Sequence, residues 1–348
     1  MMHFVSPPRN SSSSDGTLAP HLMHSYTIPD FSIRNASSYK EKYFAFKHFQ
    51  YLASNEDMKA RKRLREKLSS DLSSQDLDQI YNSFDIIGDI AIIKMRNGNN
   101  SNAKAVANKI MSIHRGVKSV FVQDSPILGE FRVRALRLVA GENKTITRYR
   151  ESGCVFAVDV EKCYFSPRLL HERSRIAGLV KPDETIVNMF AGVGCFSIII
   201  ARTLDKNKIF SIDVNPVAIK FMKENIRINR VFGKVIPLLG DSKEIIEADL
   251  QCKADRVLMP LPEKALEYLP YAICSLKKRG GWIHYYDFQH AVGNENPAEK
   301  TRLKVAEKLD GLGVGYVFAF SHVVRRTGPN WYQTVLDIHV DSLSNKFL

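Results

Sequence analysis

Two glycines in a tight turn, framed by two apolar runs, constrain this chain more than any other feature. Thr185 to Val187 leads into Asn188-Met-Phe-Ala-Gly-Val-Gly-Cys-Phe196, and Ile209 to Ile212 ends in Asp213-Val-Asn215-Pro216. Strand, glycine turn, helix, strand, acid is the layout of one nucleotide-binding half of a doubly wound sheet. The glycines let backbone approach the ligand, and the acid at the next strand end accepts from a ribose diol. The turn reads Ala-Gly-Val-Gly, not G-x-G-x-x-G, so a pyrophosphate cradle is missing and a dehydrogenase is the poorest reading. A ribosyl ligand without phosphates fits better, and S-adenosylmethionine is the common one.

The rest of the chain agrees with that start. From Arg173 onward helical and strand patterns alternate, which predicts a parallel sheet with covering helices. Strands are expected over 184–188, 208–212, 234–238, 255–259, 280–287 and 314–321, with a last strand Trp331–His339. Helices are expected over 170–180, 194–203, 216–229, 242–248, 263–275 and 298–309. The fold class is therefore α/β, with a Rossmann-like sheet close to the seven strands of class I methyltransferases. Ahead of it, a helix over Ala103–Ile113, a strand over Ser119–Val122 and an antiparallel pair joined at Glu151-Ser152-Gly153 read as a smaller α+β domain. Phe84–Met95 reads as a strand pair or as one strand broken at Gly88. The expected divisions are a flexible leader over 1–38, an α+β RNA-binding domain over 39–168 and a catalytic domain over 169–348.

Composition excludes some classes. No apolar stretch approaches the ~20 residues that span a bilayer. The start, MMHFVSPPRNSSSSDGT, has no apolar core of a secretory signal, so a cytoplasmic place is expected. The 5 cysteines show no C-x-x-C pair and read as free thiols, and no metal site is expected. The formal net charge of +13 suits a phosphate-rich partner, and the basic residues crowd the first half. The helical stretch over 40–82 carries KARKRLREK at 59–67, either an RNA contact or a solvated face.

Several acids sit where chemistry could use them. Asp213 follows the second strand and suits a ribose, or a helix cap with Asn215. Asp241, after the next strand, could accept from an adenine amino group or cap the helix at Ser242. The strand from Asp255 closes on Leu258-Met259-Pro260-Leu261-Pro262. Methyltransferases that act on amino or ring nitrogens of bases hold the target nitrogen at this strand end. Pro260 offers only a carbonyl and a fixed φ there. Glu172 stands at the start of a helix, where an acid is favourable on dipole grounds alone.

Taken together, GEFRVR at 129–134, AGENKTIT at 140–147, CYFSPR at 163–168, the Glu172-Arg173 pair, NMFAGVGCFSI at 188–198, DVNP at 213–216, NIRINR at 225–230, DRVLMPLP at 255–262 and GGWIHYYDF at 280–288 make a specific pattern. It resembles the archaeal and eukaryal tRNA guanine-37 N1-methyltransferase family, in the same order from about Leu72 to His339. The resemblance implies methyl transfer from S-adenosylmethionine to N1 of guanosine 37 in the tRNA anticodon loop. It implies Glu172 as general base, Arg132 as the cation on the developing O6 charge, and Tyr164 and Pro260 near the target base. Cofactor contacts are expected from Phe190, Gly192, Gly194, Phe196, Asp213, Asn215, Asp241 and Leu261. RNA contacts are expected from Arg134, Arg168 and Arg173, with the enzyme acting as a monomer. Pro260 departs from the Asn of the usual Asn-Leu-Pro and is similar to an archaeal branch with a second activity, methylation at C7 of the tricyclic wyosine precursor. A 3-amino-3-carboxypropyl transfer to that base is the other related chemistry. Asn188 stands where relatives usually carry Asp.

Overall fold

The computed structural model describes residues 66, 68–69, 84–95, 102–127 and 129–343. The expected leader, and nearly all of the expected helices over 40–82 with their basic run, lie outside the described residues.

The first unit is a four-stranded mixed sheet in the order β1-β2-β3-β4, from β1 (Asp85–Ile87), β2 (Ile90–Ile93), β3 (Ser119–Gln123) and β4 (Leu136–Gly141). Helix α1 (Ala103–Ile113) buries Ala103, Val106, Ala107 and Ile110 against it. Phe84–Met95 is a hairpin pair, because Gly88 turns at φ +59°, and a Cβ there would meet Thr147 Oγ1 at 2.1 Å. Strand β4 was not expected. It is a half-buried edge strand, and a register shift between Val120 and Phe121 of β3 breaks the alternation that would mark it.

Strands β5 (Ile146–Glu151) and β6 (Cys154–Asp159) form the expected antiparallel pair. The free edge of β6 is closed by side chains. Asn225 accepts from the Ala157 N–H at 2.7 Å and donates to the Ala157 carbonyl at 3.1 Å. Asn229 does the same for Val155, at 2.9 and 2.7 Å. Two carboxamides on one helix face thus stand in for a neighbouring strand and satisfy backbone groups that burial would otherwise orphan. That is the physical role of the NIRINR segment.

The second unit is a seven-stranded sheet in the order β12-β13-β11-β10-β7-β8-β9. Its strands are β7 (Thr185–Asn188), β8 (Lys208–Asp213), β9 (Val235–Leu239), β10 (Arg256–Met259), β11 (Gly281–His290), β12 (Tyr316–Gly328) and β13 (Trp331–Val340). Helices α2 (Leu170–Leu179), α3 (Cys195–Thr203), α4 (Pro216–Ile228), α5 (Ser242–Ile245), α6 (Ala265–Ser275) and α7 (Pro297–Leu312) connect them. A single 3₁₀ turn, Pro167–Leu169, leads into α2, and a wider turn, Ile246–Leu250, continues α5 where one longer helix was expected.

The expectation of a parallel sheet needs one correction. β13 runs antiparallel to both β11 and β12. Only Pro329 and Asn330 separate β12 from β13, with Asn330 at φ +58°, and a parallel neighbour needs a long crossover. β11 pairs with β10 only over Trp282–Tyr285 but with β13 as far as His290↔Trp331. The three last strands therefore continue past the end of β10 as a ribbon, at the carboxyl edge of the parallel strands.

Candidate functional site

The site forms at that carboxyl edge. β7 ends at Asn188, and the chain turns through Gly192 at φ +55° and Gly194 at φ +91° into α3. A Cβ at Gly194 would lie 2.8 Å from Met222 Cγ, whereas one at Gly192 would meet nothing closer than Tyr164 O at 3.9 Å. Gly194 is thus demanded by packing on α4, and Gly192 keeps the turn open to a ligand. The Gly192 N–H donates to Asp213 Oδ2 at 2.6 Å, and the Asn215 N–H donates to Oδ1 at 2.9 Å. Burial pushes the Asp213 carboxyl above its ordinary value, against the pull of those two N–H groups. Each oxygen keeps a lone pair for a hydroxyl, as a ribose diol requires.

An open cleft lies over this turn. One end is lined by Phe190, Gly192, Asp213 and Asp241. The other end is lined by Glu130, Arg132, Tyr164 and Pro260, with Leu261 and Lys264 alongside. Asp241 makes the helix cap that its sequence position allowed and lines the cleft. It caps α5 by accepting from the Lys243 N–H at 2.8 Å, and it accepts from the Tyr268 hydroxyl at 2.7 Å on the cleft wall.

Arg132 sits at φ +52° and stacks its guanidinium over the Tyr164 ring, 4.2 Å from the centroid. Its Nη2 meets Glu263 Oε1 at 2.9 Å. Among the described residues its buried Nε has no hydrogen-bond partner. The guanidinium as a whole lines the cleft wall, and all its N–H groups are donors.

Other expected residues stand elsewhere. The Asn215 side chain caps α4, accepting from Val217 N–H at 2.9 Å and Ala218 N–H at 3.4 Å, and donates to the Lys162 carbonyl at 2.8 Å. It is buried and positions the loop; it does not line the cleft. Phe196 is buried with its ring 6.2 Å from that of Tyr286. Arg173 is 4% exposed and is held by Glu151 at 2.6 and 2.5 Å, so its cation serves the core and not an RNA surface. Asn188 donates to Ser197 Oγ at 3.1 Å in the interior.

Glu172 is 1% exposed and also stands outside the cleft lining. Its Oε1 accepts from Arg175 at 2.9 and 2.5 Å and from the Tyr286 hydroxyl at 2.9 Å, and its Oε2 lies 3.4 Å from His322 Nε2. Burial alone would raise its carboxyl, but Arg175 above all holds it below the ordinary value. The network runs on, from Arg175 to Asp337 at 2.6 Å, Asp337 to His284 Nδ1 at 2.6 Å, and His284 Nε2 to Arg256 at 2.5 Å. Arg256 can only donate, so His284 accepts at Nε2, carries its proton on Nδ1 and is neutral. Desolvation and the two arginines hold its pKa well below the usual histidine value. Tyr286 follows Tyr285, the partner of Met259 in the β10–β11 pairing. The Glu172 carboxylate is therefore moored at the strand end that leads into Pro260. None of these partners was legible beforehand, although Tyr286 lies in the GGWIHYYDF segment.

No group of His, Cys, Asp and Glu suited to a metal occurs among the described residues, nor any helix long and apolar enough to cross a membrane.

Comparison with known proteins adds names to this geometry. A family model described as the TRM5/TYW2 methyltransferase domain matches residues 147–311, and one described as the TYW2 N-terminal domain matches residues 64–145. The chain is 41% identical over 259 residues to the tRNA (guanine(37)-N(1))-methyltransferase Trm5b of Pyrococcus abyssi, covering 74% of each chain. It is 35% identical to the tRNA 4-demethylwyosine(37)-methyltransferase Taw21 of Saccharolobus solfataricus, over 76% of this chain and 96% of that one. Among solved structures, the complex of aTrm5 and tRNALeu superposes with a TM-score of 0.69 at 34% identity, over 80% of this chain and 78% of that one.

Proposed function

Because the chain belongs to the TRM5/TYW2 methyltransferase family, we propose that it transfers the methyl of S-adenosylmethionine to N1 of guanosine 37 in tRNA. One observation carries this reading. A single cleft joins a ribose-type acceptor, Asp213 behind the Gly192 turn, to a base-type wall of Arg132, Tyr164 and Pro260. Bound at the Asp213 end, S-adenosylmethionine supplies an electrophilic methyl. Asp213 accepts the ribose hydroxyls, Asp241 takes the adenine end, and Leu261 and Phe190 exclude water.

The residues of the other wall prepare the guanine. N1 of guanine carries a proton at neutral pH, and losing it places negative charge on O6. The Arg132 guanidinium donates to that oxygen as the charge builds. Tyr164, braced by Arg132, gives a flipped base a ring face. Glu172 receives the N1 proton as the N–C bond forms and the C–S bond breaks. Arg175 keeps its carboxylate ionised. Cytoplasmic, monomeric action on the tRNA anticodon loop belongs to the same reading.

The test uses labelled methyl donor and two transcripts that differ only at position 37. Incorporation into the guanosine transcript and none into the adenosine transcript is expected. Equal incorporation into both would refute the target.

Pro260 favours a second activity on the same base. The cleft wall has a ring carbon face where an asparagine would donate, which suits the tricyclic 4-demethylwyosine better than guanine, and a 35%-identical relative is named for that substrate. Pro260→Asn should abolish C7 methylation of the tricyclic base while retaining N1 methylation. Wild-type protein that never methylates the tricyclic base would end this reading.

A further inference from the structure

Two buried carboxylates share one guanidinium where α2 packs on the ribbon. Arg175 of α2 donates to Glu172 Oε1 from Nε at 2.9 Å and from Nη2 at 2.5 Å. The same fork donates to Asp337 of β13, from Nη1 to Oδ2 at 2.6 Å and from Nη2 to Oδ1 at 3.1 Å. Glu172 is 1% exposed and Asp337 0%. His284 faces Asp337 directly across the β11–β13 pairing, with its Nδ1 2.6 Å from Asp337 Oδ1. Being neutral, it adds a hydrogen bond and no charge. Arg256, on the far side of His284, is already matched by Glu184 at 2.7 and 3.0 Å. The remaining neighbours of Glu172 are the Tyr286 hydroxyl, 2.9 Å from Oε1, and His322 Nε2, 3.4 Å from Oε2.

Counted over Glu172, Arg175 and Asp337, the ionised cluster carries one negative charge in excess. A buried excess charge is costly, and a single proton removes it. A carboxylate with a guanidinium to itself is a poor proton acceptor, because that pair is already neutral. Sharing the guanidinium with a second carboxylate restores proton affinity to the group. The two acids show the division. Burial alone would raise Glu172, but Arg175 above all holds it below its ordinary value, while burial pushes Asp337 well above its own. Acids coupled through one cation titrate as a unit. Burial holds Tyr286 protonated, and desolvation with Arg256 and Arg175 holds His284 neutral. His322 is the other neighbour of a type that titrates near neutrality.

We propose that Asp337 is a positioning residue for methyl transfer: by engaging half of the Arg175 fork, it leaves Glu172 able to accept the N1 proton. The role rests on the reading of the chain as a guanosine-37 N1-methyltransferase with Glu172 as base. As N1 bonds to the methyl and the C–S bond breaks, the N1 proton passes to Glu172 and the three groups become neutral overall. If Asp337 is protonated beforehand, Glu172 and Arg175 are left as a neutral pair and methyl transfer slows. Activity therefore needs both carboxylates ionised at the start of the step.

The experiment follows single-turnover methyl transfer to a guanosine-37 transcript against pH, with enzyme and S-adenosylmethionine saturating. The wild-type rate should fall with acid on a limb above the ordinary carboxylate value of about 4.3. Asp337→Asn should lower the plateau by about tenfold and move the limb to lower pH. Asp337→Glu keeps the charge and should return the limb toward its wild-type position. Arg175→Gln removes the cation and should move the limb to higher pH, which tests the sharing even where Asp337→Asn does not fold. Affinity for S-adenosylmethionine reports the fold of each variant. The Asp337→Asn shift should persist in a His322→Gln background. A purely packing role for Asp337 lowers the plateau and leaves the limb in place, and that result would overturn the proposal. A limb that Arg175→Gln moves downward, or a shift that His322→Gln abolishes, would overturn it too. If the wild-type protein left guanosine 37 unmethylated, the reading of the chain would fall first and the role of Asp337 with it.

Discussion

Asp213 is half-buried and Glu172 buried, and their surroundings push the two carboxylates in opposite directions. Asp213 has only two backbone N–H partners, while Glu172 has a full guanidinium. Asp213→Ala removes an ionised acceptor and should weaken S-adenosylmethionine by about 10- to 100-fold, from the ~1.5 to 3 kcal/mol of a charged hydrogen bond. Isothermal titration measures this, and an unchanged affinity would place the ribose elsewhere. Glu172→Gln should lower single-turnover methyl transfer by about 10²- to 10⁴-fold without changing cofactor affinity. A wild-type rate would assign the proton to another group. The lowered Glu172 carboxyl also has a stability consequence. Its stabilisation is fully present above the ordinary carboxylate value and is lost as pH falls through its depressed one. Melting temperature should therefore fall with acid between about pH 5 and pH 3 more steeply in wild type than in Glu172→Gln. The residue type and position of Glu172 were readable from the chain, but its moorings were not. Tyr286 and His322 arrive from 114 and 150 residues away, on strands whose outward and inward positions no local period reveals.

Elements were legible where a strict period or a turn residue announces them. The glycine turn, the helix opened by Asn215-Pro216 and the strand behind Asp213 appear where the pattern puts them. β4 and the full reach of β12 did not announce themselves, because a register shift interrupts each alternation. The side-chain closure of β6 was invisible for another reason. Asn225 and Asn229 look like ordinary polar positions on a helix until α4 is laid against the strand. Their replacement should separate two costs. Asn215→Ala removes a cap and should lower stability by about 1 kcal/mol. Asn225→Ala strands a buried N–H and two buried carbonyls, at Ala157 and Val193, and should cost about 3 kcal/mol. Denaturant unfolding of the two variants compares them, and equal losses would mean that β6 does not depend on the carboxamide.

At the scale of the molecule, the +13 charge is divided between interior and surface work. Arg173, Arg175 and Arg256 are buried against carboxylates, so they neutralise the core and leave RNA to other cations. Exposed cations lie on the first unit, such as Lys94 and Arg137, and more widely over the helices and loops of the second, such as Lys220, Arg227 and Lys253. Fold, cofactor turn and base wall thus converge on one edge of one sheet. The most direct measurement is nucleoside mass spectrometry of an unmodified tRNA transcript carrying guanosine 37, incubated with the protein and S-adenosylmethionine. One methyl at N1 of that guanosine is the predicted result. An unmodified guanosine 37, with the tricyclic base instead gaining a methyl or an aminocarboxypropyl group, would contradict the assignment.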